Sequence, residues 1–124
     1  MKRIIALLLA VMTVFALTAC GGKTTTVDAQ SLAKALAEKT AFESELSAVS
    51  KEELGYYFQL PAKCDAAAYM SSGSTAEEIF VIECYDGASA AALRTSMQDF
   101  LDSQKTEMER YLPAEADRIN GAIF

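Results

Sequence analysis

The sequence predicts an α+β domain: a small antiparallel β-hairpin or sheet packed against three to four helices, behind an N-terminal leader. Three observations predict it. Residues 76–85 alternate apolar side chains with a period of two after a Ser/Gly cluster, as a hairpin strand does. Residues 88–112 repeat apolar side chains every three or four positions, the spacing of one helix face. Helix-opening signatures at Asp28 and Ser50 add shorter helices ahead of the strands.

The leader comes first. Lys2 and Arg3 form a positive start, Ile4 to Leu17 form an apolar run of fourteen residues, and the small pair Thr18-Ala19 follows. That is the layout of a secretory signal, and the apolar run is shorter than the roughly 20 residues of a spanning helix. Leu17-Thr18-Ala19-Cys20 resembles the bacterial lipobox, in which the cysteine thiol receives a diacylglyceryl group and becomes the first residue of the mature chain. The expectation is a signal peptide over 1–19, then a lipidated Cys20 and a flexible tether over 20–27. An ordinary cleaved signal that happens to contain a cysteine, or an uncleaved anchor, is the competing reading. Each buried methylene adds only about 0.8 kcal/mol, so stable anchoring takes more than one acyl chain.

Without residues 1–19 the chain keeps 105 residues and 9 Lys+Arg against 17 Asp+Glu, a net charge of −8. One small domain over 28–124 is expected. The acidic balance argues against a nucleic-acid partner and against adsorption to anionic lipid, so the membrane contact falls to the acyl chains on Cys20. Within the tether, Gly22-Lys23-Thr24 is no phosphate loop: its first glycine would fall at Leu17, and no strand precedes it.

Asp28 suits the N-cap of a first helix reaching Lys39, with Val27 and Leu32 placed as a hydrophobic staple. Leu32, Ala33 and Leu36 form its expected buried stripe. Ser31-Leu32-Ala33-Lys34 matches the S-x-x-K of penicillin-recognising enzymes, but S-D-N and K-T-G companions are absent and the domain is too small for that site. Ser50-Lys51-Glu52-Glu53 is a capping box that opens a short helix to about Tyr57, and Pro61 prevents a long continuation. Glu52 and Glu53 meet the helix dipole there.

Strands are expected over 63–72 and 76–85, around Ser71-Ser72-Gly73-Ser74. Phe80, Ile82 and Cys84 share one face, with Glu77, Ile79, Val81 and Glu83 on the other. A three-residue loop centred on Ser74 sets Ala68 opposite Phe80, Ala66 opposite Ile82 and Cys64 opposite Cys84. A two-residue loop would instead oppose residues of unlike parity, flipping one strand's faces relative to the other. In the first register Cys64 and Cys84 lie within disulfide reach, and two readings stay open: a bond, which an extracytoplasmic address permits, or two reduced thiols acting as small hydrophobes.

Asp86-Gly87 ends the strand and starts the longest helix, about 88–112. Leu93, Met97, Phe100, Leu101, Met108, Tyr111 and Leu112 form its apolar face, while Arg94, Asp102, Lys105, Glu109 and Arg110 point away. Pro113 breaks it, and Ala116, Ile119 and Ile123 mark one further helix.

The lipobox, Ala76-Glu77-Glu78-Ile79-Phe80-Val81, the long helix and Tyr111-Leu112-Pro113-Ala114-Glu115 together resemble the bacterial lipoproteins carrying the domain of unknown function 4358. The resemblance spans most of the mature chain, and its motifs mark a fold rather than a catalytic centre. It implies a glycine-aromatic strand after the last helix, so a chain ending at Phe124 would lack that edge strand.

Elimination governs the chemistry. There is no His, which removes the commonest general base and metal ligand. Cys64 and Cys84 form no C-x-x-C, and the acids lack calcium-loop spacing, so neither a metal nor a cofactor is expected and no catalytic residue is named. The expected function is a non-catalytic envelope module, held on the outer face of the cytoplasmic membrane, that binds an envelope protein or a small ligand. The alternative is a structural or assembly accessory of a larger envelope complex, with an enzyme behind both. A binding module should carry a concave apolar pocket with converging polar groups, and an accessory a flat exposed apolar patch.

Overall fold

The structure, a computed structural model, describes residues 26–124. The expected signal peptide and Cys20 lie outside the described residues. Seven elements follow in order: α1 (Ala29–Lys39), β1 (Leu46–Val49), α2 (Lys51–Leu54), β2 (Cys64–Ser71), β3 (Glu78–Cys84), α3 (Gly87–Tyr111) and α4 (Pro113–Asn120). This is an α+β arrangement of four helices around one antiparallel sheet, in strand order β1-β2-β3.

The expected hairpin register is the observed one: Ala68 faces Phe80, Ala66 faces Ile82 and Cys64 faces Cys84. The turn is wider than three residues. Ser71 N–H donates to the Glu77 carbonyl at 3.1 Å, and Gly73 carries the positive φ of 92° that lets the chain reverse. Parity survives because the loop keeps an odd number of residues. The strand β1 was not expected. It runs antiparallel to β2, from Leu46 opposite Ser71 to Val49 opposite Ala68. Its four residues, Leu-Ser-Ala-Val, show no period-two alternation, so only pairing with β2 reveals it as an edge strand.

With β2 central, both sheet faces are covered. On one side α2 and α3 bury Leu54, Phe58 and Leu93 against Ala66 and Ala68, with Phe80, Ile82, Met97 and Phe100 packed around them. Rings gather there edge to face: Phe58 and Phe80 stand 5.3 Å apart, and Phe80 and Phe100 6.1 Å. On the other side α1 lays Ala29 and Ala33 on Ala67, flanked by Tyr69 and Val81. Small residues on both partners let the α1 backbone come close to the sheet.

That close approach corrects the expected α1 stripe. Ala33 is buried, but Leu32 and Leu36 are each 40% exposed, because the helix seats on its alanine row. The caps stand as expected. Asp28 accepts from Gln30 N–H at 3.1 Å, and Ser50 and Glu53 close a reciprocal capping box over α2. Asp86 accepts from the Ser89 N–H at 2.7 Å and so caps α3.

Two further corrections concern the C-terminal part. On α3, Leu93 is buried and Met97, Phe100, Leu101 and Met108 are half-buried, but Tyr111 is 79% exposed and Leu112 40%. The helix has 25 residues, roughly 37 Å at 1.5 Å each. The seven residues of β3 reach only roughly 23 Å, so the end of α3 overruns the sheet. Lys105, expected to point away, is half-buried. On α4, Ala116 and Ile119 are buried as expected, whereas Ile123 is 96% exposed because the helix stops at Asn120.

Candidate functional site

Among the described residues, strand β3 pairs with β2 alone, so no strand covers its outer edge. Side chains from both of its faces can therefore reach one space beside it. That space is a cavity of about 300 Å³, bounded by Glu78, Ile79 and Phe80 of β3, by Met97, Phe100 and Leu101 of α3, and by Arg118 and Ile119 of α4. Leu36 of α1 and the tail from Ala122 to Phe124 complete its rim. The walls are mostly apolar, and the two charged side chains on them have opposite surroundings.

Glu78 is half-buried. Its Oε1 accepts from Gln104 Nε2 at 2.6 Å. Burial pushes its carboxyl from the ordinary value of 4.5 up to about 7, against the smaller lowering effect of that hydrogen bond. Gln104 Oε1 is buried with no hydrogen-bond partner, so acceptors outnumber donors around this acid.

Arg118, across the cavity, is already engaged. Its Nη1 meets Glu77 Oε1 at 2.7 Å, its Nη2 meets Glu43 Oε2 at 2.9 Å and its Nε meets Glu115 Oε2 at 3.0 Å. Glu77, buried at the end of the hairpin, also accepts from the backbone N–H of Glu43 at 2.9 Å and of Ser44 at 2.8 Å, and from Thr75 Oγ1 at 3.1 Å. Those backbone donors, Glu43 first, hold its carboxyl below the usual glutamate range despite burial. Glu115 accepts from Ala76 N–H at 2.7 Å. The cluster thus ties the segment before β1, the hairpin turn and α4 together, and three carboxylates on one guanidinium leave it net negative.

Neither Glu78 nor Glu77 was singled out by sequence reasoning as more than strand polarity. A signal was available in part: two adjacent acids inside an apolar strand must place one on each face, and both faces prove to be covered. The partners Gln104, Glu43 and Arg118 lie 26, 34 and 41 residues from the acids they meet, and no local pattern announces them.

The expected site residues stand as follows. Cys64 and Cys84 are brought directly opposite each other, and both are free thiols here, Cys64 buried and Cys84 half-buried. The Cys64 thiol donates to the Pro61 carbonyl at 3.4 Å. Burial, with the neighbouring Cys64 next in importance, pushes the Cys84 thiol up, which makes it a poorer nucleophile at neutral pH. Ser31 and Lys34 do not meet: Ser31 donates to Asp28 at 2.5 Å, and Lys34 lies 3.8 Å from Glu38 on the helix surface. Among the described residues no group of three or more Cys, Asp and Glu side chains is arranged to hold a metal ion, and no helix is long and apolar enough to cross a membrane. A scan against protein-family models, a search of curated proteins and a search of solved structures each found no match to this chain.

Proposed function

We propose that this chain is an extracytoplasmic lipoprotein of the kind carrying the domain of unknown function 4358, held through Cys20 on the outer face of the cytoplasmic membrane, and that its domain binds a small ligand without transforming it. One observation carries the binding half: a concave apolar cavity at the edge of the sheet with a single, half-buried carboxyl, Glu78, on its wall. A carboxyl titrating near 7 also suits proton transfer. Its polar neighbour, however, is the amide of Gln104, which is neither a nucleophile nor a second acid, so Glu78 reads as a recognition group. A structural accessory would present one broad apolar patch. The exposed tyrosines Tyr56, Tyr85 and Tyr111 instead lie at or just beyond the ends of three different elements, and the exposed Leu36, Ile123 and Phe124 border the cavity itself.

The cavity is tested by plugging it. Ala122 is an exposed rim residue, so Ala122→Trp should fill the mouth with little change in the unfolding midpoint. Nile red, a neutral apolar dye, should brighten with the wild-type chain and do so much less with the variant. Equal brightening in both would place the dye elsewhere and count against the site. The anchor is tested separately. Cells given labelled palmitate should transfer label to the wild-type chain and not to Cys20→Ala; label retained by the variant would remove the lipobox reading.

A further inference from the structure

The charge distribution around the β3–α3–α4 cavity also selects a ligand class. We infer that it takes a small primary amine on an apolar body, with the ammonium beside Glu78 and the body over Ile79, Phe80, Phe100 and Ile119. This rests on the proposal that the cavity is a ligand site. Three observations lead to the amine. The carboxyl of Glu78 has one oxygen occupied by Gln104 Nε2, and the amide oxygen of the same Gln104 is buried without a donor. Gln104 does not itself line the cavity, but the other oxygen of Glu78, which does, meets no donor among the described residues, and an ammonium brings three.

An anionic ligand is disfavoured by Arg118, the one cation on the wall. Its guanidinium already meets Glu43, Glu77 and Glu115, so an incoming carboxylate or phosphate would face a cluster with more negative than positive charge. Arg94 lies outside this cavity, with its guanidinium 5.0 Å from the centre of the Phe124 ring. A neutral ligand would leave the ionised Glu78 desolvated without compensation, whereas an ammonium supplies an opposite charge where water is scarce. Size sets the rest. A cavity of about 300 Å³ is at the small end of ligand sites, which suits a single ring or a short alkyl chain rather than a peptide.

The test is a series that shares a phenylethyl body and varies the head group from cation to neutral to anion: 2-phenylethylamine, 2-phenylethanol and 3-phenylpropanoate, titrated at pH 8 into the full chain in lipid nanodiscs. NMR shifts of the Ile79, Phe80 and Ile119 amides give the affinity at the cavity itself. The amine should bind about tenfold more tightly than the alcohol, equivalent to about 1.4 kcal/mol, and the carboxylate more weakly than either. Glu78→Gln should weaken the amine and, by removing the uncompensated charge, tighten the alcohol, so that the two bind alike. An amine no tighter than the alcohol, a carboxylate that binds best, or an amine affinity unaffected by Glu78→Gln would overturn the ligand class while leaving the cavity as a site. No shift of the three amides with any probe would overturn the ligand class and the cavity reading alike.

Discussion

Truncating Leu54 to Ala should cost about 3–5 kcal/mol of folding stability, measured as a shift of the urea midpoint at constant slope. Leu54 is 0% exposed and sits where α2 meets the sheet, among Phe58, Ala66, Ala68 and Leu93. Two of those neighbours are alanines on the central strand, which cannot extend into the space that the leucine leaves. The cavity should therefore persist, and the upper half of the usual range for Leu→Ala applies. For a small domain with about 5–10 kcal/mol in total, much of the fold would be lost. Leu32→Ala is the contrasting case. Its 40% exposure places the expected cost at about 1 kcal/mol or less.

Glu78→Gln should act in the other direction, stabilising the domain by about 3 kcal/mol at pH 8. Burial raises the folded carboxyl to about 7 from the ordinary 4.5 that applies in the unfolded chain. Between those values the unfolded state holds fewer protons than the folded one, so wild-type stability falls as pH rises from about 4.5 to about 7 and then levels off. Glutamine cannot ionise, so this part of the pH dependence should vanish from the variant. Below pH 4.5 the two proteins should be alike in this respect. A gain in stability on losing an ionisable group, paired with the loss of amine affinity, is the pattern expected of a residue kept for binding rather than for folding.

What the sequence made legible was local. The caps at Asp28 and Ser50 depend on residues at most three apart, and each is in place. Hairpin register was legible too, because the apolar alternation of Phe80, Ile82 and Cys84 demands an even parity of pairing with Ala66 and Ala68. Three features were not. The strand β1 is too short to show a period, and its pairing with β2 is what gives it strand form. For the α1 stripe hydrophobicity favours Leu32 and Leu36, while the seat on the sheet is decided by how close the backbone can come, which favours Ala29 and Ala33. Exposure of Tyr111 and Ile123 depends on where the sheet ends, a length that helix periodicity does not contain.

The candidate site was the least legible part. It exists because β3 is an edge strand, so that Glu78 and Ile79, on opposite faces, border the same cavity. Strand order is a property of the whole fold. The ion cluster that neutralises Arg118 likewise gathers residues from three separated stretches, around positions 43, 77 and 115–118. The cysteine pairing was different in kind: register alone placed Cys64 opposite Cys84.

An ionisable carboxyl held in an apolar cavity at the sheet edge should betray itself by its titration. Its most direct measurement is a carbon-13 NMR titration of the glutamate side-chain carboxyls in the full chain, with the Glu78 resonance assigned through its absence in Glu78→Gln. Glu78 should titrate with a midpoint near 7 while Glu77 titrates below the usual glutamate range. A Glu78 midpoint near 4.5 would mean that water reaches the carboxyl freely, and would contradict the site.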